Sequence, residues 1–311
     1  MASPSSLWAS FEQSDFARSI PLGNRARPPG FSLAELPPSS LEGRVVLITG
    51  ATAGIGAECA RAVAAAGART VIGCRDERKG ELLRSEILQA QPGATVSTLL
   101  LDLRSRASIE RAISTMKARH SALHILMNNG GIPASAAPLR LADGLEECFQ
   151  ANAASAGRLP QQRDALTLGL LPLLKASAPS RIVHVSSSAH RFAPLHREWL
   201  STAFLNDAKA HSMVERYGMA KLAQLAFSNE LHRRLQSSGD VEVLSNAVHP
   251  GIVATGLVTD SARANFGPVF GLLVKVIMGL RNKPDARVWF NVTALTEELL
   301  ALPKDGGADE L

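Results

Sequence analysis

The sequence predicts an α/β fold, a doubly wound parallel sheet within a single domain, and three observations support this prediction. Short apolar, β-branched segments alternate with helical segments between residues 44 and 248. The first apolar segment leads directly into a glycine-rich loop. No change in composition after residue 43 marks an internal boundary. Strands that alternate with helices are joined by right-handed crossovers, which make the strands parallel.

The elements follow from local patterns. The first strand is predicted at residues 44–49, where an apolar run is bounded by Gly43 and Gly50, as is typical of a buried parallel strand. An alanine-rich helix follows over about 55–66 and ends at Gly67, a residue type common just after a helix. The same patterns predict strands at 70–74, 95–101, 124–128, 181–186 and 242–248, and helices at about 77–89, 105–119 and 217–235.

Composition excludes several protein classes. With 46% hydrophobic and 20% charged residues the chain can bury a core, which excludes wholesale disorder. The cysteines Cys59, Cys74 and Cys148 are scattered without metal-ligand spacing, which predicts no metal site and a reducing compartment. The net charge of +5 lies in no basic run with interleaved aromatic residues. We therefore expect no nucleic-acid partner, but an anionic small molecule instead.

The termini and apolar stretches indicate where the protein acts. Residues 1–42, which are rich in proline and serine, are predicted to form an N-terminal extension to a domain spanning 43–311. No stretch reaches the roughly 18 apolar residues of a transmembrane helix, and the N-terminus has no secretory signal. A cytoplasmic location is expected. The alternatives are an organelle, through a weak transit signal in the extension, and association with a membrane.

The glycine-rich loop at residues 49–56 predicts a phosphate site. Glycines let the backbone turn tightly and approach a pyrophosphate, and the N-terminus of the following helix offers free N–H groups to the anion. A bare glycine pattern is weak, but here it lies between an apolar strand and an alanine-rich helix. The predicted contacts are Gly50, Gly54, Ile55 and Gly56.

The end of the second strand favours NADP over NAD. An acidic residue there would bind the ribose 2′-hydroxyl of NAD, but the position holds Cys74, followed by Arg75 and Asp76. Arg75 can bind a 2′-phosphate, while Asp76 is predicted to cap the next helix. Two interpretations of Asp102 are open: contact with the adenine edge, or capping of the helix that starts near Ser105.

A tyrosine and a lysine form the candidate reacting pair. Tyr217 is the one tyrosine of the chain, and Lys221 follows it four residues later in a helical segment, which places both on one helix face. A neighbouring ammonium favours the phenolate and is expected to bring the pKa of the phenol toward neutrality. Such a tyrosine is a plausible acid or base for an alcohol or a carbonyl.

The set of motifs resembles the short-chain dehydrogenase/reductase superfamily, over about residues 30–300. Residues 74–76 with 79–81, and residues 185–190, are similar to its retinol-dehydrogenase-like branch. The resemblance implies a Rossmann-like fold and hydride transfer between a nicotinamide and an alcohol or carbonyl. The shared motifs lie at residues 49–56, 128–131, 186–188, 217–221 and 250–255.

The resemblance also implies roles for individual residues. Ser187 would hydrogen-bond the substrate oxygen and Tyr217 would transfer the proton. Lys221 would lower the pKa of the tyrosine and hold the nicotinamide ribose, and Asn152 would position a water relay to Lys221. Cofactor contacts would come from Tyr217, Lys221, Asn128, Gly130, Gly131, Pro250 and Gly251, with Thr255 at the carboxamide.

The chain departs from the family pattern in two places. After Asn152 the family's Leu-Leu-Pro segment comes roughly seven residues late, and Gly157 and Pro160 lie in between. Both residue types are poor in a helix interior, so a break is expected in the helix that bears Asn152. The C-terminus stops where the family adds one more strand, so an edge strand is expected to be missing.

Two functions from different classes are compatible with these observations. The first is an NADP-dependent oxidoreductase that interconverts a lipophilic alcohol and its aldehyde or ketone, with the apolar segment at about 256–282 as its substrate lobe. The second is a catalytically impaired NADP-binding regulator or scaffold, which the break after Asn152 would explain. A homodimer and a peripheral contact with a membrane surface remain open.

Overall fold

A computed structural model describes residues 39–135, 144–153, 166–194, 201–207 and 209–250. The segment 154–165, the substrate lobe predicted at 256–282 and the expected loss of an edge strand lie outside these residues. The strands are β1 (Val45–Thr49), β2 (Arg69–Cys74), β3 (Thr95–Leu100), β4 (Ile125–Asn128), β5 (Ser180–Val185) and β6 (Val243–Val248). The α-helices are α1 (Gly54–Ala65), α2 (Glu77–Ala90), α3 (Arg106–Arg119), α4 (Glu147–Ala153), α5 (Leu166–Ala176), α6 (Thr202–Leu205) and α7 (Met213–Ser237), and a 3-10 turn spans Ser188–Phe192.

The strands form one parallel sheet in the order β3-β2-β1-β4-β5-β6. β1 lies in the middle, so that Leu47 pairs with Val71 of β2 on one side and with Leu126 of β4 on the other. Chain order reverses between β1 and β4. In an open α/β sheet, such a reversal leaves a crevice at the carboxyl ends of the strands. The predicted doubly wound parallel sheet is confirmed.

Helices cover both faces of the sheet, because alternate residues of each buried strand point to opposite faces. From β1, Val46 and Ile48 pack with residues of α1 and α2, whereas Leu47 packs with residues of α3, α5 and α7. Each fully buried side chain of this kind contributes about 1.5–3 kcal/mol through the hydrophobic effect. Leu41, shortly before the predicted start of the domain, is also buried in the core, and its N–H donates to Ala66 O.

Local sequence sets where several helices begin. The Ser105 hydroxyl caps α3, and α7 starts with a capping box in which Ser212 and Glu215 bond each other's backbone N–H groups. A separate apolar cluster, which includes Phe149 of α4 and Met219 of α7, packs these two helices together. This contact brings α4 to the carboxyl edge of the sheet. Within the described ranges, no helix is both long and apolar enough to span a membrane.

Candidate active site

Two glycine-containing loops meet at the carboxyl ends of β1 and β4. Gly50 has a φ of 62°, and a Cβ atom on it would lie 2.6 Å from Gly130 Cα. The Gly130 N–H donates to the Thr49 hydroxyl at 2.9 Å. The Asn129 side-chain amide donates to the carbonyls of Thr49 and Gly50 at 3.0 and 3.2 Å. These hydrogen bonds hold the two glycine-containing loops together. Their backbone can therefore be approached closely by a pyrophosphate.

The start of α1 fits an anion. Gly54 has a φ of 55°, the N-cap residue Ala53 makes no side-chain cap, and the first turn contains no acidic residue. The first N–H groups of the helix are therefore left for a ligand. A Cβ atom on Gly56 would lie 2.5 Å from Asn129 Nδ2, so glycine is needed there, while Ile55 packs against the core. The structure thus brings the four predicted phosphate-loop residues to one corner.

The end of β2 places an exposed arginine beside a helix-capping aspartate. Cys74 is buried and Arg75, the next residue, is exposed. The Asp76 carboxylate accepts the Lys79 N–H at 3.2 Å and caps α2, which confirms the prediction for Asp76. Its negative charge is therefore engaged at the start of a helix, where it is favourable, and the neighbouring Arg75 is exposed.

Asp102 lies just after β3, and its carboxylate is held by Arg104. Arg104 donates from its backbone N–H at 3.0 Å, from Nε at 3.1 Å and from Nη2 at 2.9 Å. Burial raises the pKa of Asp102, but the hydrogen bonds and charge of Arg104, with a contribution from Arg75, hold it below its ordinary value. The capping interpretation of Asp102 is wrong, because the Ser105 hydroxyl itself caps α3 by accepting the Ser108 N–H. The sequence analysis did not identify Arg104.

The Ser187 hydroxyl lies near the phenol of Tyr217, on which it acts to lower the pKa. Ser187 precedes the 3-10 turn, and its hydroxyl accepts the Ala189 N–H at 3.2 Å, which fixes the turn. Tyr217 is on α7, which lies against this turn. The contact requires Gly218, since a Cβ atom there would lie 2.5 Å from Ala189 O and 3.2 Å from Ala193 N. A glycine next to the tyrosine therefore lets α7 pack closely against the turn that follows Ser187.

Lys221 is buried on the same helix as Tyr217, with its Nζ 5.7 Å from the centre of the tyrosine ring. The Nζ donates to Val185 O at 2.7 Å, and burial lowers the pKa of Lys221 to about 8. The expectation of a lowered tyrosine pKa is not met in this arrangement. Burial raises the pKa of Tyr217 above its ordinary value, and the nearby Ser187 hydroxyl offsets part of that rise. Loss of water around the phenol outweighs the nearby cation, whose ammonium is directed to a backbone carbonyl.

Asn152 lies on α4 with its Nδ2 bonded to Ile132 O and Cys148 O, both at 2.7 Å. Its Oδ1 is buried and accepts no hydrogen bond from the part of the chain that the structure describes. A Cβ atom on Gly131 would overlap this oxygen and lie 3.7 Å from Lys221 Nζ. The side chains of Asn152 and Lys221 therefore face one small space that Gly131 keeps open.

The side chain of Asn128 lies in the protein interior. Its Nδ2 is 3.0 Å from Thr167 Oγ1 and 3.3 Å from His184 Nδ1. The reason is strand alternation, which places Asn128 on the same face as Leu126. Only the backbone of Asn128 is therefore left for the predicted contact with the cofactor.

The remaining predicted contacts are in the last strand and beyond it. Pro250 follows β6 at the same edge of the sheet, next to His249, whose Nδ1 accepts the Ser188 N–H at 3.3 Å. Gly251 and Thr255 lie outside the described residues. Asn129 is a partner of the phosphate loop that was not predicted from the sequence, although it lies within the Asn-Asn-Gly-Gly motif at 128–131.

Comparison with known proteins agrees with this geometry. The family model for short chain dehydrogenases matches residues 44–198. Human retinol dehydrogenase 12 is 40% identical over 227 residues, covering 71% of this chain and 65% of that protein. The chloroplastic short-chain dehydrogenase TIC 32 B of Brassica napus is 37% identical, covering 68% of this chain and 64% of that protein. The chain thus spans slightly less than two thirds of the length of these curated relatives.

Solved structures share the fold. An uncharacterised protein from Mycobacterium paratuberculosis is 32% identical and superposes with a TM-score of 0.59, covering 79% of this chain and 80% of that chain. The family match and the curated relatives agree with the order of the motifs along the sheet. The chain belongs to the short-chain dehydrogenase family of oxidoreductases and, within it, to the retinol-dehydrogenase-like branch.

Proposed function

We propose that the protein is an NADP-dependent oxidoreductase that interconverts a lipophilic alcohol and its aldehyde or ketone. The observation that carries the proposal is that the turn after Ser187 packs against the helix of Tyr217 and Lys221, with Lys221 Nζ 5.7 Å from the centre of the tyrosine ring, at the sheet edge that also holds the phosphate loop. A nicotinamide cofactor, when bound, supplies or accepts the hydride. The chain's own residues bind the cofactor, orient the substrate oxygen and transfer a proton.

In this proposal Tyr217 transfers the proton. In the direction of reduction, its hydroxyl donates a proton to the carbonyl oxygen as that oxygen becomes an alcohol, and Ser187 holds the same oxygen by a hydrogen bond. Burial raises the pKa of Tyr217, so the phenol is protonated at neutral pH and ready to act as an acid. In the direction of oxidation, the phenolate must be stabilised, and the Lys221 ammonium lies on the same helix, 5.7 Å from the centre of the tyrosine ring.

The charges at the end of β2 support NADP. A 2′-phosphate would meet Arg75, which is exposed, and Arg104, which already neutralises Asp102. An uncompensated carboxylate at Asp102 would repel the phosphate, and Cys74 supplies no acid for the ribose hydroxyls of NAD. Charge-assisted contacts to phosphate are the strong class of hydrogen bond.

The substrate class and the location are inferred from the relatives and from the sequence. Retinol, which gives the human relative its name, is a lipophilic alcohol, and the apolar segment at 256–282 would suit such a molecule. We place the protein in the cytoplasm, with an organelle as the alternative because a relative is chloroplastic. A peripheral contact with a membrane surface would suit a lipophilic substrate, and a homodimer is compatible with the fold.

The test is a binding titration followed by a substrate panel. NADPH and NADH are titrated into the purified protein by following cofactor fluorescence, and the protein is then assayed with NADPH and aldehydes that range from a short soluble aldehyde to retinal. We expect tighter binding of NADPH and turnover that increases with the apolar length of the aldehyde. NADPH binding without turnover of any aldehyde would instead identify the catalytically impaired regulator or scaffold, and tighter binding of NADH would refute the cofactor assignment.

A further inference from the structure

The ammonium of Lys221 is held by two oxygen atoms, and one of them belongs to a side chain without an assigned role. Nζ donates to Val185 O at 2.7 Å and to Gln224 Oε1 at 3.2 Å. Both side chains are buried, with Lys221 only 4% exposed and Gln224 fully enclosed. Gln224 lies three residues after Lys221 on α7, on the same side of the helix.

The orientation of the Gln224 amide is set by the ammonium. Its oxygen accepts from Lys221, while its Nε2 is buried and donates to no group within the described residues. A buried amide normally satisfies both of its ends. An ammonium can only donate, so a buried one needs acceptors around it. The acceptor at Val185 is a backbone carbonyl, which any residue at that position would supply. The acceptor at Gln224 is a side-chain oxygen, so it is present only because this residue is a glutamine.

We infer that Gln224 is a positioning residue, which keeps Lys221 charged and directed into the site beside Tyr217 by accepting a hydrogen bond from the ammonium. This inference rests on the proposed function, in which a charged Lys221 stabilises the tyrosinate and holds the cofactor ribose. Gln224 itself touches neither reacting group.

Among the residues that the structure describes, the other titratable groups that act on Lys221 do not change charge near neutral pH. They are Tyr217 on the same helix, Cys148 on α4 and His184 on β5. Burial raises the pKa of Cys148 and lowers the pKa of His184 to about 3, so both are neutral. Tyr217 is protonated in the free protein, because burial raises its pKa. Burial lowers the pKa of Lys221 to about 8, so the charge of the lysine changes between about pH 6 and 9, a range in which these three groups keep theirs.

Two variants of Gln224 should move this titration in opposite directions. Gln224→Met keeps the length of the side chain but removes the acceptor, so the neutral amine is favoured and the pKa of Lys221 falls. Gln224→Glu keeps the shape and adds a negative charge, so the ammonium is favoured and the pKa rises. Losing one hydrogen bond to a charged group corresponds to a shift of about one to two pH units.

The shift is measured in two ways. The ¹³Cε resonance of Lys221, assigned with Lys221→Arg in lysine-labelled protein without cofactor, follows the charge directly. The pH profile of kcat/KM for carbonyl reduction follows its effect on the reaction. The matched control is Gln236→Met, at the exposed end of the same helix, where the amide bonds only Val241 O among the described residues. Gln236→Met should leave both curves unchanged.

The outcomes separate the inference from the proposed function. Opposite shifts of the resonance and of the kcat/KM profile support the inference. Equal rate losses at every pH with an unmoved lysine resonance would show that Gln224 has only a structural role and would overturn it. Should Gln224→Met fail to fold, the isosteric Gln224→Glu decides alone through the direction of its shift. A wild-type protein that shows the lysine titration but reduces no carbonyl would refute the proposed function, and with it the catalytic part of the inference.

Discussion

Glu146 and Arg216 form an ion pair inside the protein, with 3.2 Å between Oε1 and Nη1 and side chains only 4% and 3% exposed. Glu146 immediately precedes α4, where its other oxygen accepts the Phe149 N–H at 2.8 Å. Arg216 immediately precedes Tyr217 and also donates to Ser135 O in the loop after β4. The pair therefore joins the start of the helix that bears Asn152 to the helix that bears the reacting tyrosine.

We expect Arg216→Met to destabilise the protein by about 3–5 kcal/mol, because it leaves the Glu146 carboxylate buried without its partner. The free energy of unfolding is measured by urea denaturation followed by circular dichroism. The double variant Glu146→Leu with Arg216→Met should lose less stability than the sum of the losses in the two single variants, since no buried charge remains. Strictly additive losses would show that the two side chains are not coupled.

Gly218→Ala should separate α7 from the turn that follows Ser187. The added methyl group would lie 2.5 Å from Ala189 O, and relief of such an overlap typically costs about 1–3 kcal/mol. We expect a lower melting temperature and, because Ser187 and Tyr217 move apart, a larger loss of kcat than of KM. Gly93→Ala is the matched control, since a Cβ atom at Gly93 meets nothing within 4 Å. Equal melting temperatures and equal kinetic constants in Gly218→Ala and Gly93→Ala would contradict the explanation by close contact.

Arg75→Gln should weaken NADPH binding roughly 10- to 100-fold, the loss expected for about 1.5–3 kcal/mol of charge-assisted hydrogen bonding. NADH has no 2′-phosphate and should bind nearly unchanged. Arg78→Gln removes the same positive charge from an exposed position on α2. It therefore controls for the effect of the protein's overall charge on cofactor binding. Fluorescence titrations give the dissociation constants of both cofactors for the wild type and the two variants. If the Arg75 variant lost affinity equally for both cofactors, the phosphate contact would be excluded.

Tyr217→Phe removes only the hydroxyl that transfers the proton. We expect turnover to fall by at least about 10²–10⁴-fold, the usual contribution of a positioned acid or base, while the fold and NADPH affinity persist. Lys221→Ala should lose turnover and also weaken NADPH binding. Steady-state kinetics and fluorescence titration provide the comparison. Near-normal reduction by Tyr217→Phe would mean that the proton comes from another group.

His184 should make the protein sensitive to acid. Burial, with a contribution from Lys221, lowers the pKa of His184 from 6.5 to about 3. Below about pH 6.5, the unfolded chain therefore takes up a proton that the folded protein does not. Stability should then fall as the pH drops toward 3, by up to about 1.4 kcal/mol per pH unit.

The measurement compares urea unfolding of the wild type and His184→Asn at about pH 7.5 and about pH 5, on either side of the ordinary histidine pKa. A packing defect in the variant lowers its free energy of unfolding at both pH values. Removal of the proton linkage shows as a smaller drop in that free energy between the two pH values in the variant than in the wild type. An identical acid slope in both proteins would assign the sensitivity to other groups.

The strands and the main helices could be predicted from the sequence to within one or two residues at most ends. The strand predicted at 95–101 is observed at Thr95–Leu100, and the helix predicted at 77–89 at Glu77–Ala90. The prediction succeeds best for strands such as β1, which is buried along its whole length and therefore reads as a continuous apolar run. The helix predicted at 217–235 begins earlier, at Met213, because the capping box of Ser212 and Glu215 starts it.

The contacts within the site could be predicted less well, since they depend on which residues meet in three dimensions. The sequence indicated Asp102 as a ligand or a cap, but only the structure shows that Arg104 binds its carboxylate. The Tyr217–Lys221 spacing predicted a shared helix face, which is correct. The depth of burial, which decides the direction of the tyrosine pKa, depends on the packing of α4 and the 3-10 turn against α7 and is not encoded in the spacing.

The central place of β1 in the sheet has a consequence for the order in which the chain folds as it is synthesised. β1, β2 and β3 emerge first and can pair with one another, since Leu47 and Val71 are separated by a short crossover. The other edge of β1 stays unpaired until β4 has been synthesised, because Leu47 pairs there with Leu126. Such long-range pairings slow folding. Until β4 is made, the nascent half-sheet exposes an apolar parallel edge, which is the stage at which the chain would most depend on chaperones.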